Sequence, residues 1–108
     1  MPKVIELTDI TFDDEIKKHE DEPMLVMFHA PWCGHCKTQD PIIEKLAREM
    51  NNVAIAKMNI EENQRKALEY SITGVPAFLV FKDGKIVDHK AGAHQLADLR
   101  ALVQKYTY

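Results

Sequence analysis

Cysteine is scarce in this chain of 108 residues: there are two, Cys33 and Cys36. So few thiols exclude a disulfide-stapled scaffold of the kind common among small secreted domains. Basic excess is also missing. Fourteen Lys and Arg against seventeen Asp and Glu leave a formal charge of −3, which argues against a nucleic-acid surface. No apolar run approaches the roughly 20 residues that cross a bilayer, so no membrane partner is expected. Repeats, linkers and low-complexity tracts are absent, and residues 1–108 read as one domain with its own core. The start, Met1-Pro2-Lys3-Val4-Ile5-Glu6, is not expected to be a secretory leader, because acidic and polar residues follow within a few positions. These absences together predict a reducing, cytoplasmic setting.

What the chain does have is concentrated at Trp32-Cys33-Gly34-His35-Cys36-Lys37. Two thiols separated by two residues can close a disulfide within one helical turn. The apolar run Met24-Leu25-Val26-Met27-Phe28 precedes the motif and helix-compatible sequence follows it. That context puts Cys33 at a helix N-terminus, where backbone N–H groups and the helix dipole favour a thiolate. Cys33 should then be the exposed thiol of low pKa, and Cys36, a turn inside, the buried one. A redox dithiol is the leading reading. Metal ligation competes for the same spacing, but it needs further ligands, and none is evident. An inert pair is the third possibility. No metal and no cofactor are expected.

Hydrophobic patterning supplies the architecture. Residues 4–7 read as a short strand. Thr11 is placed to cap a helix that buries Phe12 and Ile16. Residues 24–28 lack alternation, as a strand covered on both faces does. Cys36, Ile43, Leu46 and Met50 form a helical stripe, which Pro41 should interrupt and kink. Residues 53–59 form a second buried strand, followed by a short helix over 64–70. Gly74-Val75-Pro76 breaks the chain before a strand at 77–81. Asp83-Gly84 marks a hairpin into residues 85–90. Leu96, Leu99, Val103 and Tyr106 give the last helix its apolar face. The order βαβαβαββα predicts an α/β domain: one mixed five-stranded sheet flanked by four helices, with parallel pairs wherever a helix intervenes.

With these segments in place, the chain resembles the thioredoxin family over essentially its whole length. The resemblance is carried by Phe28-His29-Ala30-Pro31-Trp32-Cys33-Gly34-His35-Cys36-Lys37, Pro41, Lys57-Met58-Asn59-Ile60, Gly74-Val75-Pro76, Phe81-Lys82-Asp83-Gly84 and Gly92. It implies a thioredoxin fold, Cys33 as the attacking thiolate and Cys36 as the resolving thiol. It also implies a cis peptide at Val75-Pro76 and a target peptide lying against Trp32, Val75, Pro76 and Gly92. The implied reaction is reduction of disulfide-containing proteins through a mixed disulfide. The expected donor is a separate thioredoxin reductase or its equivalent, and the expected state is a monomer.

Two departures stand out. The family usually has Pro where this chain has His35, and Cys33-Gly34-His35-Cys36 resembles the motif of protein disulfide isomerase domains. Gly34 and His35 are therefore read as tuning the couple. The family's buried carboxylate is replaced by Met27, which cannot move a proton. Asp40 lies four residues after Cys36, and alternation turns the Lys57 stem inward beneath the same helix. Asp40, Lys57 and His29 are therefore candidate relay residues, although His29 also reads as space-filling. His19, His89 and His94 read as surface histidines, with His94 near the substrate groove. Glu61, Glu62, Arg65, Lys66 and Glu69 read as a solvated helix face. A disulfide oxidase or isomerase, favoured by His35, competes with the reductase. A redox-independent binding scaffold is a third reading of the chain, and a metal or iron–sulfur site shared between two chains is a fourth.

Overall fold

The computed structural model describes residues 4–107; Met1-Pro2-Lys3, the first half of the stretch that bears on a leader, lies outside them. The elements are β1 (Ile5–Glu6), α1 (Phe12–Lys18), β2 (Met24–His29), α2 (Gly34–Glu49), β3 (Ala54–Asn59), α3 (Gln64–Glu69), β4 (Ala77–Lys82), β5 (Lys85–Ala91) and α4 (Leu96–Gln104). The strands form one mixed five-stranded sheet in the order β1-β3-β2-β4-β5. The α/β architecture and the alternation of elements are those expected.

The central position of β2 follows from its composition. Met24 to Phe28 are all buried, since both faces of the strand are covered. Leu25 and Met27 face α2 and α4, meeting Ile43, Leu46, Leu99 and Val103. Met24, Val26 and Phe28 face the other layer, meeting Phe12 and Ile16 of α1. Phe12, Tyr70 and Phe81 close that second core, with ring centroids 5.5 to 5.6 Å apart.

Parallel pairing holds for β1 with β3 and for β2 with β3, but not for β4. Although α3 intervenes, β4 enters antiparallel to β2, and β5 is antiparallel to β4. The reason lies in where the connection ends. Ile60, just after β3, and Val75, just before β4, pack against the same Ala30-Cys33-Cys36 cluster, so the chain re-enters the sheet at the end it left. Gly74-Val75-Pro76 turns it from that end directly into β4, with a cis peptide at Val75-Pro76.

Local expectations fail in instructive places. Thr11 does not cap α1 with its side chain. Instead Thr8 and Thr11 exchange backbone N–H to Oγ1 hydrogen bonds, both 3.1 Å, so the turn begins three residues earlier. Pro41 does not interrupt α2, which runs continuously through it. Pro41 is exposed, so the ring projects into solvent and only one backbone donor is lost. Met50 is the C-cap of α2, and Tyr106 lies beyond α4. The hairpin is as expected: Asp83 and Gly84, with φ of 54° and 77°, are both left-handed, as a two-residue turn between twisted strands requires.

Candidate redox site

Cys33 is the N-cap residue of α2. Its backbone is extended, with φ −88° and ψ 108°, and its sulfur accepts a hydrogen bond from the Cys36 N–H at 3.2 Å. Cys36 lies within the first turn, the two Cα atoms are 5.3 Å apart, and the sulfurs are joined as a disulfide. A cap sulfur in this place faces the free N–H groups of the helix, the setting that stabilises a thiolate once the bond is reduced. The expectation that Cys33 is exposed does not hold. It is 6% accessible and Cys36 3%, because Ala30, Ile60 and Val75 pack around the pair.

The rim of the dithiol is built from three loops. Trp32 is 67% exposed beside Cys33, and its indole N–H donates to the Glu61 carboxylate. The Val75 carbonyl oxygen lies 3.6 Å from the Cys33 sulfur. Gly92, with φ 81°, donates its N–H to the Pro76 carbonyl at 2.8 Å, which ties its loop to the cis-proline turn. Space is open where a Cβ would project from Gly34, Gly74 and Gly92. His35 stands exposed in the first turn of α2.

Beneath α2 lies a second, polar group. Lys57, opposite Met27 in the β2–β3 register, reaches to 3.6 Å from Asp40 Oδ1 and 3.7 Å from Glu6 Oε1. Asp40 Oδ1 and His29 Nε2 are both buried and find no hydrogen-bond partner among the described residues. Burial lowers the His29 pKa from its ordinary 6.5, and the Lys57 charge lowers it further; Asp40 and Glu6 oppose this without reversing it. Asp40, Lys57 and His29, far apart in the sequence, thus form one cluster.

Three features are not visible in the sequence pattern. Gln39 is 2% accessible. Its side-chain oxygen accepts the His94 backbone N–H at 3.1 Å, pinning the loop after Gly92 to α2. Glu61 does not belong to a merely solvated face, since it holds Trp32. Nor does Lys66, which is 4% accessible. Its ammonium donates to Asp13 at 2.8 Å and Glu69 at 3.1 Å, over the Phe12 ring. Periodicity gives no warning of this, because Asp13 and Phe12 lie over fifty residues earlier. His94 is half-buried, its Nε2 2.9 Å from the Ala91 carbonyl oxygen; His19 is half-buried between Glu15 and Glu22, and His89 is exposed.

A mixed sheet presenting a vicinal dithiol at a helix N-terminus, faced by a cis-proline loop, defines a protein dithiol–disulfide oxidoreductase. The thioredoxin family model matches residues 3–105. The chain is 44% identical over 94 residues to a thioredoxin of Buchnera aphidicola subsp. Schizaphis graminum, covering 86% of each chain. It is 38% identical over 100 residues to the thioredoxin of Rickettsia typhi, covering 92% of this chain and 94% of that one. Among solved structures, a mutant thioredoxin from Halobacterium salinarum NRC-1 superposes with TM-score 0.89 at 31% identity, covering 98% of this chain and 92% of that one. Thioredoxin f from spinach chloroplast does so with TM-score 0.90 at 33% identity, covering 96% and 93%. The chain belongs to the thioredoxin family. Its substrates are accordingly disulfide-containing proteins, and its electrons come from a reductase donor. No helix among the described residues is long and apolar enough to cross a membrane.

Proposed function

We propose that the protein acts as a cytoplasmic, monomeric reductase in which Cys33 attacks the target disulfide and Cys36 resolves the product. The observation that carries this reading is the Cys33 sulfur at the α2 cap, accepting the Cys36 N–H at 3.2 Å. The helix N-terminus favours the Cys33 thiolate, while Cys36 sits one turn inside. Cys33 forms a mixed disulfide with one target sulfur and expels the other as a thiolate. Cys36 then attacks Cys33, closes the intramolecular disulfide and releases the second target thiol. The target lies extended along Trp32, Val75, Pro76 and Gly92, pairing with the Val75 backbone in the manner of an added strand. A thioredoxin reductase or equivalent donor restores the dithiol.

Insulin-type disulfide reduction tests the assignment. Cys33→Ser and Cys36→Ser should both fall to background. Cys36→Ser should also accumulate a mixed disulfide at Cys33. A mixed disulfide that forms at Cys36 in Cys33→Ser would reverse the roles.

One feature favours a second reading, as an oxidase or isomerase. His35 gives the first turn of α2 a backbone N–H that Pro would remove, and its ring can carry positive charge near Cys33. Both effects stabilise the thiolate and make the couple more oxidising. A potential near about −270 mV supports the reductase, and one near about −180 mV the isomerase.

A further inference from the structure

We propose that Asp40 is the proton acceptor for Cys36 during resolution, with Lys57 as its counter-charge. The proposal rests on Cys36 being the resolving thiol. Cys36 is 3% accessible and packed with Ala30, Ile60 and Val75. Such surroundings disfavour a thiolate, so Cys36 cannot depend on bulk water to take its proton. Met27, opposite Lys57 in the β2–β3 register, is fully buried and has no proton to exchange. Asp40 lies one turn after Cys36 on the same face of α2, a spacing that puts Cβ atoms about 5–6 Å apart.

The Asp40 side chain is 40% exposed, yet its Oδ1 is buried and accepts no hydrogen bond from the described residues. One carboxylate oxygen therefore faces inward and is free to take a proton. Lys57 Nζ stands 3.6 Å from that oxygen, close enough to balance charge and too far to occupy it as a donor. His29 Nε2, on the end of β2, is likewise buried and unpartnered. Buried polar atoms are nearly always paired, so two such atoms around one lysine mark a place where a proton or water is handled. The charged groups facing this space are Glu6 from β1, His29 from β2, Asp40 from α2 and Lys57 from β3. Among them Asp40 is the acceptor by position, because it alone lies on α2, one turn after Cys36.

In the step itself, the Cys36 S–H bond breaks and the proton passes to Asp40 Oδ1. The sulfur electron pair attacks Cys33. The Cys33–Cys36 bond forms as the bond from Cys33 to the target sulfur breaks, and that sulfur leaves with its electron pair. The dithiol is oxidised by two electrons and the target disulfide is reduced by two. Asp40, whose side chain is 40% exposed, then returns its proton to solvent.

Single-turnover reduction of a disulfide-bonded peptide, followed by rapid quench across roughly pH 6 to 9 around the usual thiol pKa of about 8.5, tests this. Asp40→Asn should slow resolution about tenfold or more near neutrality. The deficit should shrink as pH rises and Cys36 ionises unaided. Asp40→Glu should recover part of the rate. Alkylation of Cys33 in the reduced variant should stay within about twofold of wild type. Equal resolution rates at every pH would overturn the proposal and leave bulk water as the acceptor. A loss of constant size at every pH would overturn it too, since only a structural defect behaves so. Wild-type protein that alkylates first at Cys36 would instead overturn the assignment of the resolving thiol.

Discussion

Lys57 and Lys66 both lie largely out of water, on opposite faces of one sheet, and their surroundings differ in every respect. Lys66 is saturated. Its side chain is 5% accessible, Asp13 and Glu69 accept from it at 2.8 and 3.1 Å, and the rings of Phe12 and Tyr70 lie at 5.1 and 5.9 Å. Burial alone would lower its pKa; the hydrogen bonds to Asp13 and Glu69 outweigh that and raise it. Lys57 is unsaturated. Its side chain is 22% accessible, and its two carboxylates stand at 3.6 and 3.7 Å, beyond hydrogen-bond length, beside two unpartnered polar atoms. A satisfied buried charge holds structure in place. An unsatisfied one leaves room for protons to move.

Breaking the two sites should therefore move different measurements. The largest effect is expected at Lys66. Lys66→Ala removes the stem packed against Phe12 and Tyr70 as well as the charge. It should cost about 2 kcal/mol of stability, or roughly 10 °C in Tm, by calorimetry at pH 7. Lys66→Met, which keeps the stem, should cost less, and neither should alter the rate of target reduction. The Lys66 charge also has a pH signature. Because the folded pKa is raised above 10.5, its contribution is present below that value and is lost as pH rises through the folded pKa.

A reversed pattern is expected at Lys57. Lys57→Gln should slow the resolving step several-fold while changing stability by less than about 1 kcal/mol, as for other exposed or loose ion pairs. Equal stability losses at both lysines would erase the distinction. The smallest effect is expected at His29. Its NMR titration should fall below 6.5, and Lys57→Gln should move it upward by removing a nearby positive charge. Since the folded value is lowered, the unfolded chain binds the proton first. Stability from His29 is thus present above about 6.5 and is lost as pH falls through the folded value.

Much of this is legible in the chain. The unalternating run before the motif places β2 at the centre of the sheet, and the CxxC after it places a sulfur at a helix start. Period-two alternation turns Lys57 toward α2, where it meets Asp40. Lys66 is illegible for a definable reason. Charges on a short helix ordinarily face water, and only the docking of α3 beside Phe12 and Asp13 covers this one. Gln39 gives no signal because its partner is a backbone N–H fifty-five residues away.

The sequence by itself determined the order of elements, the dithiol and its place at a helix N-terminus, because these depend on periodicity, on turn-forming residues and on neighbours within one turn. Only the tertiary structure decided that β4 runs antiparallel to β2, that Cys33 is enclosed by Ile60 and Val75, that Trp32 is held by Glu61, and that Asp40 Oδ1 and His29 Nε2 are left unpaired around Lys57. Each of these depends on which distant segments come to lie side by side. Local pattern does not encode that proximity; it arises when the two apolar faces of the sheet are covered by their helices.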